Sequence, residues 1–291
     1  MKPGRFTYHA PRSLDEALAL LAEHGDESKI LAGGQSLMPL LNFRLAQIGH
    51  LVDINRIGEE FGTIGEGDTI RLPALVRQRQ AERSAALAEA LPLLGQALRQ
   101  VAHPQVRNRG TLCGSLAHAD PAAELPTVMS VLDTTFTIAS ARGIRTVEVA
   151  DFFQFHLTTA LEPDELLLDV RIRRPAPGTV TVFHEFATRR GDFALAAIAA
   201  AVRFEGDRVA GCRIAAAGVA PTPRRLTDVE ALVTGSSLDT AVLAEARTAA
   251  RESVEPTGDI HAGSAYRKRL TGVLVHRALA DARAQQEAAH A

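Results

Sequence analysis

"KILAGGQSLMPLLNFRLAQIGHLVDIN", residues 29–55, reads as a short apolar strand that runs into two consecutive glycines, a serine, a helix and a second strand. The paired glycines govern how the rest is read. Either they only turn the chain, or they leave bare main chain for a ligand to lie against. Glycine reaches positive φ without a clash, and free N–H groups at a helix start attract an anion such as phosphate. Upstream, Ser13 followed by Glu16 ahead of Leu14, Ala17, Leu18 and Leu21 is a capping box, and Gly25 is a natural stop. Residues 14–24 are therefore expected to form an amphipathic helix. The first unit becomes helix, strand (29–32), glycine turn, short helix from about Ser36, strand (50–54), with Pro39 tolerated in the helix's first turn.

Downstream of Asn55 the pattern predicts a strand over 69–72 and a helix over 85–101. The stretch "HPQVRNRGTLCGSLAHADPAAELP" then lacks a helical or strand period, which is more typical of a functional loop than of a connector. It carries a second glycine-rich segment, "RGTLCGS", from Arg109 to Ser115. "PTVMSVL" reads as helix, "TTFTIAS" as strand, and "ELLLDVRIRRP" as a half-buried strand alternating Leu166, Leu168, Val170 and Ile172 against charged neighbours. Pro175, Pro177 and Gly178 suggest a boundary. Beyond it come several strand-like runs and then alanine-rich helical ones, an order that suggests an antiparallel sheet with helices on one face and an α+β class.

Composition narrows the function. Thirty-two basic against thirty-four acidic side chains, a net charge of −2, supply no field for a polyanion, so nucleic acid is not an expected partner. Cys113 and Cys212 are the only cysteines, too few for a disulfide framework or an iron–sulfur cluster. No apolar run reaches the roughly 20 residues of a membrane span, and the first residues lack a secretory apolar segment, which makes the cytoplasm the expected compartment.

Neither glycine loop has the spacing of a dinucleotide fingerprint or a P-loop. His103, His118, Asp120 and Glu124 have no metal-ligand spacing, and loop histidines and aspartates commonly cap turns, so no metal site is expected. No serine sits in a nucleophile elbow: Ser36 reads as a helix cap and Ser115 as a phosphate-side hydroxyl. Cys113 is most simply a small loop residue, with a reactive thiol as the alternative. In "ATRRGDFAL", 187–195, a strand end meets a charged turn, and Phe193 either covers a planar ligand or fills the core.

Taken together, "LAGGQSLMPLLNFRL", "HPQVRNRGTLCGSLAHADPAAELP" and "TRRGDFAL" closely resemble the medium, flavin-binding subunit of the molybdenum hydroxylases. That group includes aerobic carbon monoxide dehydrogenase and, as a domain of a longer chain, xanthine dehydrogenase. The resemblance implies a two-lobed FAD-binding domain of the vanillyl-alcohol-oxidase type over residues 1–175, with lobes of about 1–55 and 56–175. A smaller α+β domain would follow over 178–286. It further implies FAD between the lobes with its pyrophosphate against both glycine loops. Gly33, Gly34, Gln35 and Ser36 would bind it through their N–H groups from one side, with Thr111, Gly114 and Ser115 from the other, and Ala32, His103 and Gly110 are further cofactor-binding positions. Glu124 aligns with an acidic position that holds ribityl hydroxyls, Leu167 with an apolar contact near the ring, and Phe193 with an aromatic close to the isoalloxazine.

Two departures from the family pattern stand out. The second loop commonly reads T-x-G-G, and Cys113 replaces the first of those glycines. Some relatives carry a lysine where this chain has Glu185. The implied role is that of electron-exit subunit, with no catalytic side chain of its own. The implied partners are a large molybdopterin subunit and a small iron–sulfur subunit, in a dimer of heterotrimers, and the acceptor would be NAD, a quinone or oxygen. The alternatives are an FAD-binding module without turnover and an independent flavoprotein oxidase.

Overall fold

The computed structural model describes residues 1–290. The chain forms two compact units that exchange segments along the sequence. One comprises Met1–Arg83, His103–Ala119 and Thr134–Arg173, and the other Ser84–Ala102, Asp120–Asp133 and everything from Arg174 onward.

The first unit holds two larger sheets and a two-stranded one, Phe153–Phe155 with Thr158–Thr159. Its three-stranded parallel sheet has the order Thr7–His9, His50–Asp53, Ser28–Leu31. The antiparallel sheet runs Thr69–Pro73, Leu166–Arg173, Thr134–Ser140, Gly143–Glu148. Between them lies the helix Leu14–His24, started by Ser13, whose hydroxyl accepts the Glu16 N–H at 3.2 Å. Glu16 completes the cap one residue early, accepting the Arg12 N–H at 2.7 Å. The apolar stripe of this helix, Ala17, Leu18 and Leu21, joins Val52, Ile54 and Ile57 from the first sheet region to Ala139, Leu166 and Leu168 from the second in one core. A narrow stripe thus fastens both sheets to one helix.

The strand Leu166–Arg173 is less exposed than alternation predicts, since every residue from Leu166 to Val170 is buried. Asp169, 2% exposed, is tolerated there because Arg71 Nε donates to it at 2.6 Å and Arg171 Nε at 3.1 Å.

Two expectations need correction in the stretches around the second glycine loop. The helix over 85–101 is broken into Ala85–Ala90 and Pro92–Leu98, because Pro92 drives Leu91 out of the helical region and itself opens the next helix. The supposed loop after His103 is mostly helical, as Pro104–Arg109 and Leu112–His118. Both helices are two turns or less, too short to show a period.

The second unit is built on an antiparallel sheet of order Thr179–Ala187, Ala194–Glu205, Arg208–Ala217, Arg224–Arg225. On one face Ile198, Ala200, Val202 and Ile214 pack against Val229, Leu243, Ala246, Leu274, Val275 and Ala278 of the C-terminal helices. Helices were expected on that face alone. Ala197 and Ala199, which point the other way, are also fully buried, and the helices Pro92–Leu98 and Glu124–Val131 contact this sheet. Gln96 even extends the sheet's edge, taking the Phe183 N–H at 2.8 Å and giving its own N–H to the Thr181 carbonyl at 2.9 Å. Helices from early in the chain complete the sandwich, a layer that local sequence order cannot reveal. No helix among the described residues is long and apolar enough to cross a membrane.

Candidate functional site

The two glycine segments, about 75 residues apart in sequence, meet in the first unit. A β-carbon placed on Gly33 would lie 2.5 Å from the Arg109 carbonyl oxygen, 2.8 Å from Gly110 Cα and 3.0 Å from the Thr111 nitrogen. Main chain packs on main chain here, and only glycine permits it. Gly34 follows with φ of +71°, the left-handed region that turns the chain into the helix Leu37–Asn42. Among the described residues the N–H groups of Gly34, Gln35, Ser36 and Thr111 have no protein acceptor. Neither do the hydroxyls of Ser36 and Ser115 have a hydrogen-bond partner there. The Ser36 hydroxyl, expected to cap its helix, makes no cap bond. A cluster of uncommitted donors around bare backbone is a nest for an anion with several oxygens.

A network that the sequence did not disclose fixes this approach. Asn55 Nδ2 donates to the Ala32 carbonyl at 2.9 Å and to Asp53 Oδ1 at 2.5 Å, and Asn55 Oδ1 accepts from Arg77 at 2.5 Å. Arg77 also donates to the Arg109 carbonyl. One guanidinium therefore ties the support of the first loop to the backbone of the second. Tyr8 hydroxyl completes the chain of contacts at 2.6 Å from Asp53 Oδ2. Burial pushes the Asp53 carboxyl up, but the hydrogen bonds from Tyr8 and Asn55 outweigh it and hold it below the usual range. No local pattern marks either Asn55 or Arg77 as having a partner 22 or 32 residues away.

In the second loop Thr111 caps the helix Leu112–His118, its hydroxyl accepting the Gly114 N–H at 3.0 Å and its carbonyl the Ser115 N–H at 3.2 Å. The Gly114 and Ser115 amides are thus spent on the cap, leaving the Thr111 amide and the Ser115 hydroxyl as the loop's uncommitted donors. Cys113 points away into the core, 3% exposed, with its thiol toward the Leu72 carbonyl at 3.6 Å. Burial pushes its pKa well up, so this is an inert packing residue and the reactive-thiol alternative falls. His103 is exposed at the start of the helix Pro104–Arg109, and Leu167 is buried in the strand Leu166–Arg173.

Glu124 and Phe193 belong to the second unit. Glu124 opens the helix Glu124–Val131 and is 8% exposed. Burial first, and then the carboxylate of Glu124, push Glu185 up to about 8, and its Oε2 has no partner among the described residues. Where a lysine was noted in relatives, this chain carries a carboxyl that keeps its proton at neutral pH. Phe193 is 67% exposed beside the Gly191 turn and takes no part in the core.

Residues 4–175 match the family described as FAD binding domain in molybdopterin dehydrogenase. Residues 181–282 match the CO dehydrogenase flavoprotein C-terminal domain. The 6-hydroxypseudooxynicotine dehydrogenase complex subunit alpha of Paenarthrobacter nicotinovorans is 38% identical over 283 residues, 97% of this chain and 96% of its own. The carbon monoxide dehydrogenase medium chain of Hydrogenophaga pseudoflava is 37% identical, over 96% and 97% respectively. A chain of quinoline 2-oxidoreductase from Pseudomonas putida 86 superposes with a TM-score of 0.93 at 38% identity, covering 98% of this chain and 99% of that one. Relatedness of this extent, end to end and in both domains, makes the chain a member of the FAD-binding medium subunits of the molybdenum hydroxylases, an oxidoreductase subunit whose cofactor is FAD.

Proposed function

We propose that this chain is the electron-exit subunit of a heteromeric molybdenum hydroxylase, assembled with a large molybdopterin subunit and a small iron–sulfur subunit. The observation that carries the reading is the contact of Gly33 with the Arg109–Thr111 backbone beside uncommitted N–H groups. That cradle fits a diphosphate: it is built from main chain with uncommitted N–H donors, and its two loops meet so closely that Gly33 tolerates no β-carbon. Ala32 to Ser36 would hold the FAD pyrophosphate from one side. Thr111 and Ser115 would hold it from the other, with Gly110 and Gly114 allowing the close approach. Glu124 would accept ribityl hydroxyls, while Leu167, His103 and Phe193 would contact the rest of the cofactor. When bound, FAD supplies the redox chemistry, taking electrons that originate at the partners' metal centres and passing them to NAD, a quinone or oxygen.

The chain's own residues then have limited tasks. Main-chain N–H groups bind, Arg77 and Asn55 keep both loops in place, and the Glu185 carboxyl holds a proton. No general base is required of them. The three named relatives differ in substrate, which supports a reading in which the substrate of the assembled enzyme is set outside this chain. The test is to purify the chain, record its visible spectrum and identify what is released on denaturation. FAD in one-to-one amount supports the reading, and a protein that stays colourless after FAD is added ends it. Co-purification of molybdenum- and iron-containing partners tests the assembly, which a stand-alone flavoprotein would lack.

A further inference from the structure

A cluster of side chains at the N-terminal sheet plays no part in the flavin cradle. His9 ends the strand Thr7–His9, His24 ends the helix Leu14–His24, and His50 begins the strand His50–Asp53. Because Thr7 is opposite His50 in the parallel register, His9 and His50 lie on one face of the sheet, two residues apart along the diagonal. Their rings meet, Nε2 of His9 standing 2.9 Å from Nδ1 of His50. The His24 ring stacks on His50 with centroids 3.6 Å apart and planes 10° from parallel, and lies 5.3 Å from His9. One nitrogen from each ring falls within 4.8 Å of the others, and all three side chains are half-buried.

We infer that His9, His24 and His50 form a binding site for a divalent first-row transition-metal ion, with zinc the natural probe. Three imidazoles converging from three elements exceed what a hydrogen bond needs, for only one proton can sit between His9 and His50. A metal engages all three rings at once. Neutral imidazole is a ligand of choice for zinc, copper and nickel. Bonds of 2.0–2.1 Å in a tetrahedral shell set ligand nitrogens about 3.3 Å apart, so His9 and His50 need separate by only about 0.4 Å while His24 closes in. Half-exposed rings make that adjustment by side-chain rotation.

His9 would bind through Nε2 and His50 through Nδ1, and water would fill the fourth position from the solvent side. The proton now shared between these two rings passes to the outer nitrogen of the ring that owns it, so neutral rings release no net proton on binding. The ion would clip strand, helix and strand together at one end of the parallel sheet.

The full chain, stripped with a chelator and dialysed against zinc, should take up one zinc per chain by elemental analysis and melt at a higher temperature. His24→Ala and His9→Gln should each weaken uptake by at least about tenfold. Both should also lose the zinc-dependent rise in melting temperature, with circular dichroism unchanged. His156→Ala, on an exposed histidine elsewhere in the unit, should bind as the parent does. Absence of saturable uptake by the parent, or uptake unchanged in both cluster variants, overturns the site. Neither outcome depends on whether the chain holds FAD.

Discussion

Gly33 has no room for a β-carbon, and this residue carries the sharpest prediction. In Gly33→Ala the new methyl would meet the Arg109 carbonyl at 2.5 Å, with backbone rather than a flexible side chain in its way. The loops must part, and FAD affinity should fall by at least about tenfold, or about 1.4 kcal/mol, measured by fluorescence titration of the stripped protein. Gly34→Val acts differently, placing a branched side chain at a φ of +71°, and should also abolish retention. Normal retention in both would mean that the cradle is not the diphosphate site. Glu185 yields a pH signature. Its carboxyl is raised from 4.5 to about 8, so the folded protein keeps a proton that the unfolded chain has given up. The stability this contributes is full below the unfolded value near 4.5 and is lost as pH rises toward about 8. Glu185→Gln should flatten the pH dependence of the urea midpoint across that window and stabilise the protein at its alkaline end, whereas an unchanged slope would mean that Glu185 titrates normally.

At the scale of elements, those with a local cause were legible and those with a distant cause were not. The helix Leu14–His24 is written in Ser13, Glu16 and its apolar stripe, and the strand Thr134–Ser140 in its β-branched and aromatic residues. Leu21, 1% exposed where that helix meets the core, should cost about 2–5 kcal/mol as Leu21→Ala, read as a fall in urea midpoint with unchanged slope. A loss under half a kilocalorie would contradict the helix's place between the sheets. The helices Pro104–Arg109 and Leu112–His118 could not be read, because two turns or less show no period and Gly110 and Gly114 suggest a loop. Both glycine segments could be picked out as candidates, but not the guanidinium that locks them. Arg77→Ala would leave Asn55 Oδ1 and the Arg109 carbonyl without their donor, a loss of about 1–3 kcal/mol. It should raise the FAD dissociation constant while leaving the bound flavin spectrum unchanged. If stability and affinity both stay at parental values, the lock is incidental.

For the whole molecule, the matched families divide the chain between residues 175 and 181, yet the contacts divide it otherwise. Ser84–Ala102 and Asp120–Asp133 lie inside the N-terminal match but pack with the C-terminal sheet. Order along the chain hides this, since Ser84–Ala102 reads as helix and Asp120–Asp133 as loop and then helix, and nothing in either names the sheet it will cover. A fragment ending at residue 175 would keep the flavin loops but lose the sheet on which the helices Pro92–Leu98 and Glu124–Val131 pack, helices whose Leu93, Leu94, Leu98, Leu125 and Val128 are all 1% exposed or less in the intact chain. It would also leave Gln96 without Phe183 and Thr181. Uncovered apolar area on that scale promotes association. The fragment should therefore aggregate or bind a hydrophobic dye when expressed alone, and co-expression with residues 176–291 should restore a monodisperse, FAD-binding complex. A fragment 1–175 that is monomeric, dye-negative and cooperatively folded by itself would show that these two segments need no second unit, and that the interleaved division does not govern how the chain folds.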